Sequence, residues 1–481
     1  MSSTYDNAPR GSEGAAATTI ADAGAKCKTP PPPAQDRNVA AASWVYAPMQ
    51  VARRAVFYLL VAIYLIACPL TIGYALGYLV RPGSEHGIIK TGLVHLATTP
   101  PAASIYIGKS RYTTPTPATL RDLLPGRYPV SVVLKGYRSW RRTLVVRPGR
   151  ATVFDHILLL PETLRDEVVF PSPLEDLIPV ASRDLLLLSR GPQLLDLVLY
   201  DARAGVSWPI RLPAELRAAR LRSLVPSRES DGALLRVHAR DGERWLWLEL
   251  RREPRLQDLA PLLSRPQATP APVQGIGLWR RTLCLLVSDG TLRLIDPDRP
   301  LAERVLRDPA LASLTASGGR YQIRALSDDA LLFLGEQGEL LTPRPPYLLV
   351  SEGVRDLVED PRLERVLLWR ADQLGVLDLA VWRASPERAA PRWVFQDGHS
   401  IEQAFWAHEG SHVVFRDGDQ VRLLALDGSP EAAAQDVVQV RKNSAVLYVE
   451  DAGRLYYLDR TTAHLRALEL IPGTWRAQPR E

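Results

Sequence analysis

"FRDGDQVRLLALDG", residues 415–428, decides the fold of most of this chain. One apolar run enters an Asp-Gly turn, and a second leaves it and closes on Asp. Asp-Gly between two apolar runs is the strongest short-range hairpin signal, because both turn residues tolerate positive φ. The same unit returns as "VSDGTLRLIDPD" (287–298), "WRADQLGVLDL" (369–379) and "VEDAGRLYYLDR" (449–460). Such turns fall near Gly191, Gly242, Gly290, Gly338, Asp372, Gly418 and Gly453, which is 262 residues over six intervals or about 44 each. Four-stranded propeller blades repeat at roughly 40–45 residues. A single blade cannot bury both its faces, whereas radial stacking gives neighbours a shared core. "LLFL", "VLLW", "HVVF" and "AVLYV" supply short strands for that core. The expectation is a mainly β chain with a C-terminal β-propeller of about seven blades over residues 165–475.

At 481 residues the chain is too long for one ordinary core. Its net charge of +6 hides an uneven distribution. Residues 91–160 carry ten Lys/Arg and two acids, a net of +8, residues 1–90 carry +3, and residues 161–481 carry −5. A basic module therefore precedes an acidic one. The three cysteines are Cys27, Cys68 and Cys284, and the large region holds only the last, so no disulfide within it can staple its core. Only six of the 59 basic residues are Lys, a bias of coding background more than of mechanism.

Residues 1–52, rich in Ala, Ser, Thr and Pro, read as a disordered tail. From Ala55 to Val80 there are 26 residues without a charge, more than the roughly 20 needed to span a bilayer. Residues 53–81 are expected to be a transmembrane signal anchor, followed by a linker at 82–91. Arg53 and Arg54 precede the apolar run and only Arg81 follows closely, which places the tail in the cytoplasm and the C-terminal bulk outside. Tyr58, Tyr64, Tyr74 and Tyr78 suit interfacial anchoring, and Pro69 suits a kink. Gly73 and Gly77 have the spacing that lets helices approach, although small residues with no packing role share it. "LIAC" at 65–68 has the form of a lipidation box around Cys68, but some fifty residues precede the apolar stretch and the run continues beyond it. An uncleaved anchor is the expectation.

Between anchor and propeller the periodicity is two. In "LLPGRYPVSVVLKGYRSW" (123–140), Tyr128, Val130, Val132 and Leu134 share one face of a strand. Pro129 argues for an edge position, since it cannot donate to a ladder. Leu93–Thr98, Ser104–Ile107, Trp140–Val146 and Val153–Leu159 read as further strands, giving a small β-sandwich over 92–161. These residues resemble the PEGA domain family. The naming tetrapeptide aligns with Pro100-Pro101-Ala102-Ala103, keeping its first Pro and last Ala. "SIYIG", "TPTPATL" and "LPGRYPVSVVLKGY" follow in the family's order. The layout also looks like membrane-anchored bacterial PEGA proteins carrying a WD40-like or TolB-like propeller. The resemblance implies a non-catalytic extracytoplasmic module. "GKS" at 108–110 is not a phosphate loop, because a strand precedes it and "TTPTP" cannot open a helix.

"HEGSH" at 408–412 has zinc-protease spacing, which needs both histidines on one helical face. Gly410, Ser411 and the "VVF" that follows argue instead for a hairpin with Glu409-Gly410 at its turn, like the first hairpin of a propeller blade. The acidic turns Asp417-Gly418-Asp419 and Asp328-Asp329 are compatible with calcium, but more simply with solvated turns. No catalytic residues, metal or cofactor are expected. The chain reads as a non-enzymatic, single-pass protein of the cytoplasmic membrane, serving binding or scaffolding outside it. Arg138, Arg141 and Arg142 around Trp140 are the candidate contacts to an anionic lipid or wall polymer. A solvated or internally paired basic surface competes with that reading. A protein partner on the propeller face fits, and nucleic acid does not fit an exported domain. The alternatives are an exported propeller hydrolase or metalloenzyme, and a cytoplasm-facing propeller platform.

Overall fold

A computed structural model describes residues 43–471, except 76–77, 81–87, 181–183, 192–196, 228–231, 251–252, 264–271, 280–281, 297–298, 300–302, 317, 327–329, 343, 346, 361 and 427–433. The expected tail up to residue 42, most of the linker, Cys27, Gly77 and the Asp328-Asp329 turn lie outside the described residues. The chain divides into two compact units, Met1–Leu76 and Gly77–Glu481.

In the first unit a helix runs over Ser43–Ala75, which corrects the expected tail: residues 43–52 are helical and continue the apolar helix toward the N-terminus. Its part Arg53–Ala75, 23 residues with mean hydropathy 2.4, is long and apolar enough to cross a membrane. At 1.5 Å per residue it covers about 34 Å, against a hydrocarbon core of about 30 Å. Thr71, two residues beyond Pro69, donates its hydroxyl to the carbonyls of Ala67 and Cys68. The expected helix through Val80 is corrected at its end: Tyr78–Val80 is a strand, paired antiparallel with Ile88–Lys90. Tyr, Leu and Val favour a pleated surface, and the strand partner satisfies backbone groups that a helix would otherwise have to satisfy.

The second unit begins with the small sandwich. One sheet orders Ala118–Leu123, Gly92–Thr99 and Ala151–Leu158, the last two parallel. The other orders Ser110–Arg111, Ser104–Ile107, Gly126–Val133 and Trp140–Val146. Val94, Leu96, Ile105, Leu120, Val130 and Val132 fill the space between them. Ala118–Leu123 was not anticipated from the sequence. Pro129 also departs from expectation, since its strand is flanked on both sides. The ladder to Ser104–Ile107 stops at the Ile107↔Val130 pair, and the Pro129 carbonyl accepts from the Gly108 turn at 2.7 Å. The missing N–H thus faces a turn, where no ladder bond is lost.

Beyond Arg165 the described strands form five four-stranded sheets and one eight-stranded sheet, which divides at the parallel pairing of Val273–Trp279 with Tyr321–Ala325. Each set of four follows chain order except the last. There, 447–449, 454–458 and 465–469 are completed by Arg165–Phe170 from the other end of the region. The core clusters link neighbouring sets. Leu187 shares a cluster with Leu235, Leu234 with Leu285, and Leu286 with Phe333. Leu334 shares a cluster with Leu368, Leu367 with Phe415, Val414 with Leu455, and Tyr456 with Leu186. Every set shares a core with the next, and the last shares one with the first, which is the packing of a propeller.

Six of the seven expected turns join the second and third strands of their sets. Gly453 joins the first and second strands of the last set. The equivalent turn there is 459–464, which lacks Gly. Its Asp459 carboxylate accepts from the backbone N–H groups and hydroxyls of Thr461 and Thr462, and Ala463 takes the left-handed conformation. An Asx-type turn thus performs what Asp-Gly does elsewhere.

Candidate functional site

The sandwich and the propeller meet along "ILLL", residues 157–160. Alternate side chains serve different cores: Ile157 and Leu159 fill the sandwich, and Leu158 and Leu160 join the propeller core beside Ala407, Val414 and Leu423. All four are buried. Arg138 adds two bonds across the junction, its backbone N–H donating to the Leu160 carbonyl at 2.8 Å and its guanidinium to the Asp436 carbonyl at 2.9 Å. At about 25 cal/mol per Å² of apolar surface, Leu158 and Leu160 alone couple the modules by several kcal/mol.

Beside this seam lies a cleft of about 600 Å³ lined by both modules. The size falls within the range of natural ligand sites. Six consecutive residues, Val153 to Leu158, form the sandwich side together with Trp140 and Arg142. Successive strand residues point to opposite faces, so a cleft that touches all six sees the strand's edge. The opposite wall carries Arg362, Leu363, Arg365, Glu409–His412, Leu423, Ala425 and Leu426.

Arg365 lies over the Trp406 ring at 4.9 Å and donates to the Gly410 carbonyl at 2.6 Å. Burial pulls its pKa down, and the nearby Asp360 carboxylate opposes that shift. Asp360 is itself buried, with one oxygen accepting from the Arg362 N–H. Arg362 bridges to Glu450 at 2.8 Å. Arg142 stands 5.9 Å over the Trp140 ring, and Trp140 meets Phe154 edge to face. Three arginines and His156 thus oppose two exposed acids, Asp155 and Glu409, around the cleft.

"HEGSH" forms a hairpin turn, as the sequence implied. His408–Ser411 connect Ile401–Ala407 to His412–Asp417, with His408, Glu409 and Gly410 all at positive φ. A β-carbon on Gly410 would sit 2.6 Å from an Asp360 oxygen, so the turn requires glycine twice over. The histidines still meet, by a route that sequence spacing does not reveal. His408 lies 5.4 Å from His412 and 6.0 Å from His156, ring to ring. Burial, followed by the charges of His408, His156 and Arg142, pushes His412 down to about 3. Among the described residues no group of three or more His, Cys, Asp or Glu is placed to hold a metal ion.

The residues singled out beforehand are divided by the fold. Trp140 and Arg142 share the inward face of their strand and line the cleft, Arg141 points to solvent, and Arg138 binds the propeller. Gly73 has open space where a β-carbon would stand. Asp417 is buried, not solvated. It accepts from the N–H groups of His399 and Ser400 and from Arg422, and so holds its own blade together. Arg362, Arg365 and the strand edge were missed, because only the fold brings segments some two hundred residues apart onto one cleft.

Comparison with known proteins assigns the sandwich: residues 91–158 match the family model of the PEGA domain. No curated protein matches the chain. Among solved structures it is similar to the β-propeller domain of Myceliophteria thermophila Cps50 (Swd1), with 15% identity, 64% of this chain and 99% of that one covered, and a TM-score of 0.42. It is also similar to the C-terminal WD40 domain of Sif2, at 11% identity, with 64% and 99% covered and a TM-score of 0.39.

Proposed function

We propose that this chain is a membrane-anchored binding platform whose PEGA domain and propeller act together outside the cytoplasmic membrane, with no catalysis of its own. The observation that carries the reading is the "ILLL" seam, which makes one body of two modules and builds a cleft that neither has alone. Arg53 and Arg54 before the apolar helix and a single Arg after it support an exterior C-terminal region. A rigid, loop-bearing scaffold with a composite cleft suits recognition of a partner.

Thiol labelling in intact cells tests this. Ser139→Cys, exposed on the sandwich, reports sidedness, and Val153→Cys, 55% exposed at the cleft, reports occupancy. The expected result is that a membrane-impermeant maleimide labels Ser139→Cys without lysis, and labels Val153→Cys more slowly in cells than in the purified chain. Labelling of Ser139→Cys only after lysis contradicts the exterior placement. Equal Val153→Cys rates in both settings contradict a bound partner.

A further inference from the structure

We infer that the cleft binds an extended, acidic peptide segment of a partner protein, added as a further strand to the edge of Ala151–Leu158. This rests on the reading of the chain as a binding platform and names what the platform holds.

The edge is identified by hydrogen bonding. Among the described residues, Ala151–Leu158 is terminal in its sheet and pairs only with Gly92–Thr99. The Leu93 N–H donates to the Arg150 carbonyl, so the backbone of Arg150 faces that partner. Alternation then turns Thr152 and Phe154 toward the partner, and Ala151 and Val153 toward the open side. The Leu159 N–H donates to Thr99, and the register shift near residue 155 accounts for the change of parity. An edge strand with outward N–H and C=O groups is a template for another strand, and proteins commonly cover such edges or blunt them with charge. This one instead opens into the cleft, with Val153 exposed at its lip.

The rest of the cleft fits the side chains of such a strand. An added strand presents alternate residues to opposite sides, with main-chain bonds for affinity and side-chain pockets for specificity. Leu363, 46% exposed, and Leu426 offer apolar contact on the propeller wall. Arg142 and Arg365 point charge into the same space from the two modules. Their guanidinium carbons lie 5.9 Å from the Trp140 ring and 4.9 Å from the Trp406 ring, which holds both cations beside the cleft where a carboxylate can meet them. An apolar and acidic alternation is therefore the pattern that the site selects.

The test is selection of a displayed library of random ten-residue peptides on the full chain in phosphatidylcholine nanodiscs. It uses purified protein, so its outcome is independent of the sidedness and cellular occupancy read by thiol labelling. The expected winners alternate apolar and acidic residues. Their affinity should fall at least tenfold on Arg142→Gln and on Val153→Pro. The proline removes an outward N–H and no ladder bond. Should Val153→Pro disturb the fold, synthetic winners N-methylated at alternate positions report the same bonds. One set of positions should abolish binding and the other leave it intact. Failure to enrich any peptide overturns the inference, as does enrichment indifferent to N-methylation at every position. Binding of phosphatidylglycerol vesicles that is lost in Arg142→Gln, with no peptide enriched, assigns the cleft to lipid head groups instead.

Discussion

Ala102 stands in the left-handed region at φ 66°, at the place where the PEGA tetrapeptide has glycine. Its N–H donates to the Thr116 carbonyl at 2.7 Å, and the next N–H to the Thr116 hydroxyl, so the turn holds in spite of the β-carbon. A left-handed L-residue costs about 1–2 kcal/mol, and glycine relieves this at some cost in chain entropy. Ala102→Gly should therefore raise the urea unfolding free energy by about 1 kcal/mol, and a loss of stability would show that the turn is not strained. His412 gives a pH dependence. Its pKa is about 3 folded and about 6.5 unfolded, so between these values the unfolded chain binds a proton that the folded chain does not. Stability should fall as pH drops from about 6.5 toward 3, by at most about 1.4 kcal/mol per pH unit from this group. His412→Phe should flatten that part of the stability profile, and an unchanged slope would assign the acid sensitivity elsewhere. The sequence showed the turn in "HEGSH" because Gly410 and the strand after it are local signals. It did not show that His412 is buried, nor that His156, two hundred and fifty residues away, adds to its downward shift.

The run 157–160 is the element that joins the cores, and alternate truncations should separate its two duties. Leu→Ala in a core costs about 2–5 kcal/mol. Leu159→Ala should raise amide exchange in the sandwich strands around Val94 and Val132, and Leu158→Ala in the propeller strands around Val414 and Leu423. Identical exchange maps for the two variants would contradict the division. In sequence, Val153–Leu159 reads as a strand, but nothing shows that its end serves two different domains, since an apolar run with no polar face looks the same in either case. The hairpin repeat was legible wherever Asp-Gly or Gly marks the turn. It slipped by one hairpin at the last set, where Asp459 and two threonines replace glycine. The closing strand Arg165–Phe170 was invisible as a partner because its hydrogen bonds reach across some three hundred residues.

For the whole molecule, the basic sandwich and the acidic propeller are complementary in charge, and their contact is consistent with that. In sequence the sandwich is only a small basic module between anchor and propeller. The shared seam makes it part of the propeller's body and gives it a fixed orientation there. The composite cleft depends on this rigidity. A spin-label distance measurement tests it most directly. Labels at Ser139→Cys and Glu387→Cys would be placed in a chain with Cys27 and Cys68 replaced by Ser. Buried Cys284, whose pKa burial pushes up to about 12, can stay unlabelled in place. A single narrow distance distribution, broadened by Leu158→Ser with Leu160→Ser, is the expected result. A broad or two-peaked distribution in the otherwise unaltered chain would contradict one rigid body, and with it the cleft as a built site.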